Sequence, residues 1–232
     1  MNNIFVALDF PTWKETELFI EKNELAGVPV KVGMELFYRE GVRVIEQLKE
    51  NDHPIFLDLK LHDIPTTVYR AMRNLAKLHV DYVNVHALGG ADMIKRAKEA
   101  LIDAPNTKLL AVTILTSHDE KSLQDELRLH GKVEDHVVHL ATLAEKSGAD
   151  GVVCSVHEVE AIKQSTSMSF ETMTPGIRLT SSSTDDQKRV ATPKFARVKG
   201  ATSLVIGRSI TKAKDPLTAY KQACEEWQHG IK

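Results

Sequence analysis

Eight short runs rich in β-branched and apolar residues recur along the chain, and almost every interval between them carries helical patterning. The first four, IFVALD, VPVKVG, IFLDLK and YVNVHA, begin at positions 4, 28, 55 and 82. KLLAVTIL (108–115), GVVCSV (151–156), FETMTPGI (170–177) and SLVIGR (203–208) complete the set. Between them lie segments such as LFYREGVRVIEQLKE, where Leu36, Val44, Ile45 and Leu48 fall at helix-compatible spacings. Strand followed by helix, eight times over, requires parallel strands joined by crossovers. In 232 residues this closes most economically into an α/β fold of the (β/α)8 TIM-barrel type, with an open doubly wound sheet as the alternative. No linker, low-complexity tract or close repeat divides the chain, so residues 1–232 are expected to form a single barrel domain.

Composition removes several classes of function. Thirty Lys and Arg against 32 Asp and Glu leave a formal charge of −2, and the basic cluster Lys95, Arg96, Lys98 has no interleaved aromatics. That cluster reads as a solvated helix face, and nucleic acid is not expected as a partner. No apolar stretch approaches the roughly 20 residues that span a bilayer, so no membrane partner is expected. The terminus MNNIFVALDF lacks a basic patch before a long apolar run and does not read as a secretory signal. Cys154 and Cys224 stand apart with no CxxC or His-rich companion, which argues against a disulfide framework or a zinc site and for a reducing, cytoplasmic location. Cys154 reads as core. Two intervals break the rhythm: TSHDEKSLQDELRLHGKV, from Thr116, predicts an extra helix or excursion above one rim, and LTSSSTDDQ (179–187) predicts a mobile loop beside the mouth.

Chemically useful side chains gather where the strand-like runs end: Asp9, Lys31, Asp58 with Lys60, His86, Thr116, Arg178 and Arg208. Barrels of this type carry their active sites on that rim. In IFLDLKL, two-residue alternation puts Ile55, Leu57, Leu59 and Leu61 on one face and Phe56, Asp58 and Lys60 on the other. An isolated strand could turn such a charged face to water. On a parallel strand covered on both sides, the charges need partners or a function. Asp63 follows, and Pro65 lets a helix begin near Thr66. With Lys31 from the neighbouring strand, the set Lys31, Asp58, Lys60, Asp63 alternates in sign, so each member favours the ionised form of the next. Lys60 then reads as an ammonium acid, since a Schiff-base lysine needs an apolar or cationic setting. In IGRSI, Gly207 permits close approach, Arg208 offers a bidentate fork, and a helix starting near Ser209 turns its positive end toward the rim. TPGIR adds Pro175, Gly176 and Arg178 on the adjacent strand, and together these predict a phosphorylated substrate.

The combination VALD, KVGMELF, FLDLKLHDIPTTV, NVHALGG, VTILTS, TPGIR and IGRSIT resembles the orotidine 5′-phosphate decarboxylase family, its bacterial members above all, from Asp9 to Arg208. The DxKxxD motif alone is shared with sugar-phosphate enzymes of the same superfamily. The resemblance implies a cofactor-free decarboxylase acting on a small-molecule nucleotide, with Lys60 as proton donor and Asp58 beside the substrate carboxylate. It makes Lys31 the lysine that orders the array near the ribose and Asp9 the contact to the ribose hydroxyls. Thr116 corresponds to the pyrimidine contact, and Arg178, Gln187, Gly207 and Arg208 to the groups around the phosphate, with Pro175 beside them. It further implies a homodimer in which Asp63 and Thr67 reach into the partner's site. Thr66 departs from the family, where many members have Asn. Two rivals are a magnesium-dependent sugar-phosphate decarboxylase or aldolase, whose strand-two Glu is replaced here by Lys31, and a phosphate-binding barrel without catalysis. His62 and His86 read as rim hydrogen-bonding residues, and Tyr220 and Trp227 as packing or dimer contacts.

Overall fold

The structure, a computed structural model, describes residues 3–179 and 191–230. Eight parallel strands close in chain order, with β1 hydrogen-bonded to both β2 and β8. They are β1 (Ile4–Ala7), β2 (Val30–Gly33), β3 (Ile55–Leu61), β4 (Tyr82–His86), β5 (Lys108–Val112), β6 (Gly151–Val153), β7 (Glu171–Thr174) and β8 (Ser203–Ile206). The helices around them are α1 (Trp13–Lys22), α2 (Met34–Glu40), α3 (Val42–Glu50), α4 (Pro65–Ala76), α5 (Gly90–Glu99), α6 (Glu120–Asp125), α7 (Val133–Lys146), α8 (Val159–Ser165), α9 (Pro193–Val198), α10 (Arg208–Thr211) and α11 (Pro216–Gln228). The (β/α)8 barrel expected from the alternation is therefore the observed fold.

Two apolar cores follow from the strand period. Outward residues such as Val32, Ile55, Leu57, Val83 and Val85 pack with the helices, where Leu48, Met72 and Ile94 are fully buried. Inward residues Phe5, Phe56, Leu110, Met173 and Val205 fill the barrel itself. Phe5, Phe56 and Tyr82 meet edge to face, with centroids 5.7–6.4 Å apart, and plug the lower half. Below them the Tyr82 hydroxyl donates to Glu171 (2.9 Å), which also pairs with Lys108. Burial, reinforced by the Glu171 charge, raises the Tyr82 phenol far above its ordinary value, so it stays a neutral donor. Closing the lower half leaves the carboxyl rim as the place for a cavity.

Local chemistry sets the element ends. Pro65, Pro193 and Pro216 open α4, α9 and α11 at positions where no amide hydrogen is needed, and Thr192 and Asp215 cap the last two. The segment with continuous helical patterning after β2 is two helices: Gly41 adopts φ +68°, which a side chain would resist, and the chain turns there. The charged interval after Thr116 does contain an added helix, α6, opened by a reciprocal Asp119–Ser122 capping box. Strands β5, β6 and β7 end earlier than their apolar runs: Thr113 and Cys154 still donate to Val153 and Met173, and the residues after them, like Pro175 and Gly176, leave the ladder toward the rim. The 179–187 loop falls, beyond Leu179, outside the described residues. Arg96 lies 4.1 Å over the Tyr69 ring and pairs with Glu99, and Lys98 pairs with Asp150 at 2.6 Å, so two of the three clustered cations hold the helical shell together. Tyr220 and Trp227 are buried, with Arg197 stacked 4.9 Å over the Trp227 ring; they are packing residues.

Candidate active site

The chemistry starts with a distortion of β3. Its ladder with β4 runs Phe56↔Tyr82 and Leu57↔Val83 and then resumes only at Leu61↔Val85, so extra residues bulge between the two registers. Lys60, within that bulge, takes φ +52°, a left-handed conformation that costs a non-glycine residue about 1–2 kcal/mol. Its backbone N–H donates to the side-chain oxygen of Asn84 on β4 at 2.7 Å. The Lys60 side chain lines the cavity with Phe56 and Asp58.

A chain of alternating charges then crosses the rim. Lys60 Nζ lies 2.7 Å from Asp58 Oδ1, Lys31 Nζ lies 3.5 Å from Asp58 Oδ2, and Lys31 Nζ donates to Asp9 Oδ1 at 2.9 Å. The side chains of Lys31 and Asp58 are each 11% exposed, whereas Lys60 keeps 27% and Asp9 60%, so the inner pair is fixed and the outer two face the cavity. Burial pushes the Asp58 carboxyl up, but Lys31, Lys60 and the hydrogen bonds from Lys60 and Asn84 together hold it below the usual carboxylate range. Burial likewise works against the Lys31 ammonium, and Asp58 and Asp9 outweigh it, leaving Lys31 above its ordinary value. Gly33 leaves room for the array: a Cβ there would stand 3.0 Å from Lys31 Nζ and 3.2 Å from Asp9 Oδ1, and both charged ends would have to give way slightly.

Around this array lies a cavity of about 780 Å³ that reaches from β3 across to β7 and β8. Phe56, Val112, Val153 and Val205 form its apolar floor, and Thr116 and Ser117 stand on the β5 side. Pro175, Gly176 and Arg178 after β7, with Gly207 and Arg208 after β8, form the opposite wall. Gly176 sits at φ +80° and so requires glycine. A Cβ on Gly207 would meet only Ala7 Cβ at 3.7 Å, an ordinary contact, so that glycine is not demanded by packing. Lys212, not foreseen from the sequence, joins the same wall. The array near β3 is balanced, two acids against two lysines, while Arg178, Arg208 and Lys212 make the far wall cationic. The cavity thus suits an elongated ligand with an anionic tail at one end and its reacting group at the other.

Asp9, Lys31, Asp58, Lys60, Thr116, Pro175, Arg178, Gly207 and Arg208 are all brought to this one cavity. Asp63 and Thr67 are not among its lining residues; both are exposed, and Asp63 Oδ1 accepts the N–H of Ile64 at 2.6 Å. Within this chain the acid that completes the charge alternation is Asp9 and not Asp63. Gln187 lies outside the described residues. His62 and His86 stack on each other at 5.4 Å outside the cavity. Burial, with His62, Lys60 and His118 nearby, lowers the His86 imidazole below its ordinary value. Cys154 is buried, lines the cavity and forms no disulfide. Among the described residues, no group of three or more His, Cys, Asp or Glu is placed to hold a metal ion. Asn84 leaves no mark in the sequence, since a lone Asn in a strand carries no periodic signal.

The chain matches the family model described as Orotidine 5′-phosphate decarboxylase / HUMPS family over residues 2–223. A protein of Listeria monocytogenes named orotidine 5′-phosphate decarboxylase is 50% identical over 231 residues, covering 98% of this chain and 99% of its own. One of Bacillus pumilus with the same name is 51% identical over 228 residues, covering 96% and 97%. Among solved structures, orotidine 5′-phosphate decarboxylase from Lactobacillus acidophilus superposes with a TM-score of 0.84 at 40% identity, over 98% of this chain and 99% of that one. An uncharacterized conserved protein from Geobacillus kaustophilus gives 0.83 at 44%, over 97% and 99%. Full-length identity of this order, together with a barrel whose carboxyl rim carries the charge array, establishes that the chain belongs to the orotidine 5′-phosphate decarboxylase / HUMPS family.

Proposed function

We propose that this protein decarboxylates orotidine 5′-monophosphate to uridine 5′-monophosphate and CO2, the step that completes a uridine nucleotide, with Lys60 as the catalytic acid. The observation that carries this reading is the Lys60 ammonium, anchored 2.7 Å from Asp58 and facing a cavity whose far wall holds Arg178 and Arg208. A nucleotide laid across the barrel puts its phosphate on the arginines and its pyrimidine over the apolar floor beside Thr116. Asp9 and Lys31 lie along the edge between, where the ribose passes.

The carbon 6 to carboxylate bond then breaks, CO2 leaves, and the electron pair stays in an sp² orbital of carbon 6 that ring resonance does not absorb. A fixed ammonium next to that carbon stabilises the developing charge and then transfers one proton to it, and the neutral amine regains its proton from solvent. Because the charge is quenched locally, the step needs neither an electron-sink cofactor nor a metal. Asp58 repels the substrate carboxylate by about 4 kcal/mol for unit charges about 4 Å apart at an effective dielectric near 20, and the repulsion fades as CO2 departs. The larger share of the acceleration comes from binding the carbanion-like transition state more tightly than the substrate. A magnesium-dependent sugar-phosphate reaction suits the site less well: Lys31 puts a cation 3.5 Å from Asp58, where a metal would compete with it.

The exposed Asp63 and Thr67, beside an Ile64 that is 67% exposed, support a homodimer in which these residues complete the partner's cavity. Two cysteines outside any disulfide fit a reducing cytoplasm, and no helix among the described residues is long and apolar enough to cross a membrane.

Loss of ultraviolet absorbance when purified protein meets orotidine 5′-monophosphate, equal with and without a chelator, is the expected result. Absence of turnover would leave a binding barrel, and turnover abolished by the chelator would favour metal chemistry. If Asp63 acts across the interface, mixing inactive Asp63→Ala and Lys60→Ala chains restores activity in mixed dimers. No rescue despite demonstrated subunit exchange would place both residues in one chain's site.

A further inference from the structure

We infer that Asn84 is the positioning residue of this site: its side-chain amide clamps the backbone of Lys60 with one end and the carboxylate of Asp58 with the other, so that the acid and its partner are held as one unit. The inference rests on the decarboxylase reading and adds to it a residue that does not touch the cavity. Asn84 is 1% exposed, in the middle of β4, with Tyr82 two residues before it on the inward face. Its Oδ1 accepts the Lys60 N–H at 2.7 Å and its Nδ2 donates to Asp58 Oδ1 at 2.7 Å.

The orientation of this amide is fixed by its neighbours. A backbone N–H only donates, so the end facing Lys60 is the oxygen and the end facing Asp58 is the NH2 group. Asp58 Oδ1 therefore accepts from Asn84 as well as from Lys60 Nζ, and cannot carry a proton on that oxygen without breaking the clamp. This matters when a second carboxylate, that of the substrate, arrives and pushes Asp58 toward protonation. The other end of the amide does mechanical work. The β3–β4 ladder is interrupted between Leu57 and Leu61, so the Lys60 N–H donates to the Asn84 side chain, which helps hold a left-handed backbone that would otherwise relax. The charged and titratable groups around Asp58 are Lys31 from β2, Asp9 beyond it after β1, Lys60 on β3 itself, and His86 from β4 with His62 and His118 on the far side of Lys60. Asn84 is the uncharged member of that circle, and so can fix Asp58 without altering the balance of charge.

Two variants separate the clamp's two ends. Asn84→Ala removes both, and is expected to lower kcat about 10²-fold, the scale of a misplacement of about 1 Å, while KM, set by the phosphate wall, changes little. The acid limb of its kcat profile moves to higher pH, because Asp58 has lost a donor. Asn84→Asp keeps an acceptor for the Lys60 N–H and nearly the same shape, but must be protonated to serve Asp58. It is expected to be active at acid pH and to lose kcat as pH rises, a limb absent from the unmodified enzyme. Variants that fold less stably yet show unmodified kcat per folded dimer and an unmoved pH profile would reduce Asn84 to a structural residue, and so would an Asn84→Asp chain that cannot fold. The unmodified protein, run in the same assay, separates the two readings: if it fails to turn over, the decarboxylase reading has failed, and if it and both variants turn over alike, only the role of Asn84 has.

Discussion

The two walls of the cavity are built on different principles. On the β3 side, Lys31, Asp58 and Lys60 are locked by mutual ion pairs at 2.7 and 3.5 Å, with a bulged backbone beneath them. On the β7–β8 side, arginines follow glycines, and α10 is a single turn. Charges that must act on a transition state gain from being preorganised, because reorganisation during reaction would consume their effect. Groups that grip a phosphate need only reach it, and rim loops suffice. The expectation is that the first wall governs kcat and the second governs KM.

Lys60→Ala gives the sharpest test of that division. Loss of a general acid and of a preorganised charge together should lower kcat by on the order of 10⁵-fold, with nucleotide affinity retained. Stopped-flow or long-time absorbance assays would measure it, and near-normal turnover would refute the role. Arg208→Ala should cost about 10- to 10²-fold in kcat/KM, the worth of one charged hydrogen-bonding group, mainly through KM. If kcat fell instead with KM unchanged, the two walls would not be separable. Gly33→Ala should displace the Lys31 ammonium and lower kcat by about tenfold while leaving uridine 5′-monophosphate binding intact. The smallest effect is on stability in acid. The folded Asp58 carboxyl titrates below its unfolded value, so its contribution is fully present above about pH 4 and is lost as pH falls through the folded value. Asp58→Asn should therefore flatten the acid end of the unfolding curve, read by denaturant melts from pH 6 to 3. Lys31 has the opposite sign: its raised value keeps its contribution until alkaline pH.

Much of this arrangement was legible before any fold was considered. Two-residue alternation alone separated Ile55, Leu57 and Leu59, which pack with the helices, from Phe56 and Asp58, which face inward. It worked because the barrel covers both faces of the strand. Regular alternation gave no hint that Lys60 would need a left-handed backbone, nor that Gly41 would break one helical pattern in two. Asp63 follows Asp58 and Lys60 closely along the chain, yet it stands exposed outside this chain's own cavity. The loop that leaves the end of the bulged strand turns it outward.

The amino-acid sequence by itself determined the eight strands and their alternation with helical segments, the inward face of β3, and the residue types offered at the rim, because these depend on periodicity and on the chemistry of neighbouring residues. Only the tertiary structure decided which of them meet. Asn84 joins Lys60 and Asp58 across 24 and 26 residues of chain, and Asp9 reaches Lys31 across 22. Those contacts exist because barrel closure fixes the register between strands, a condition set by every strand together and written in none of them alone.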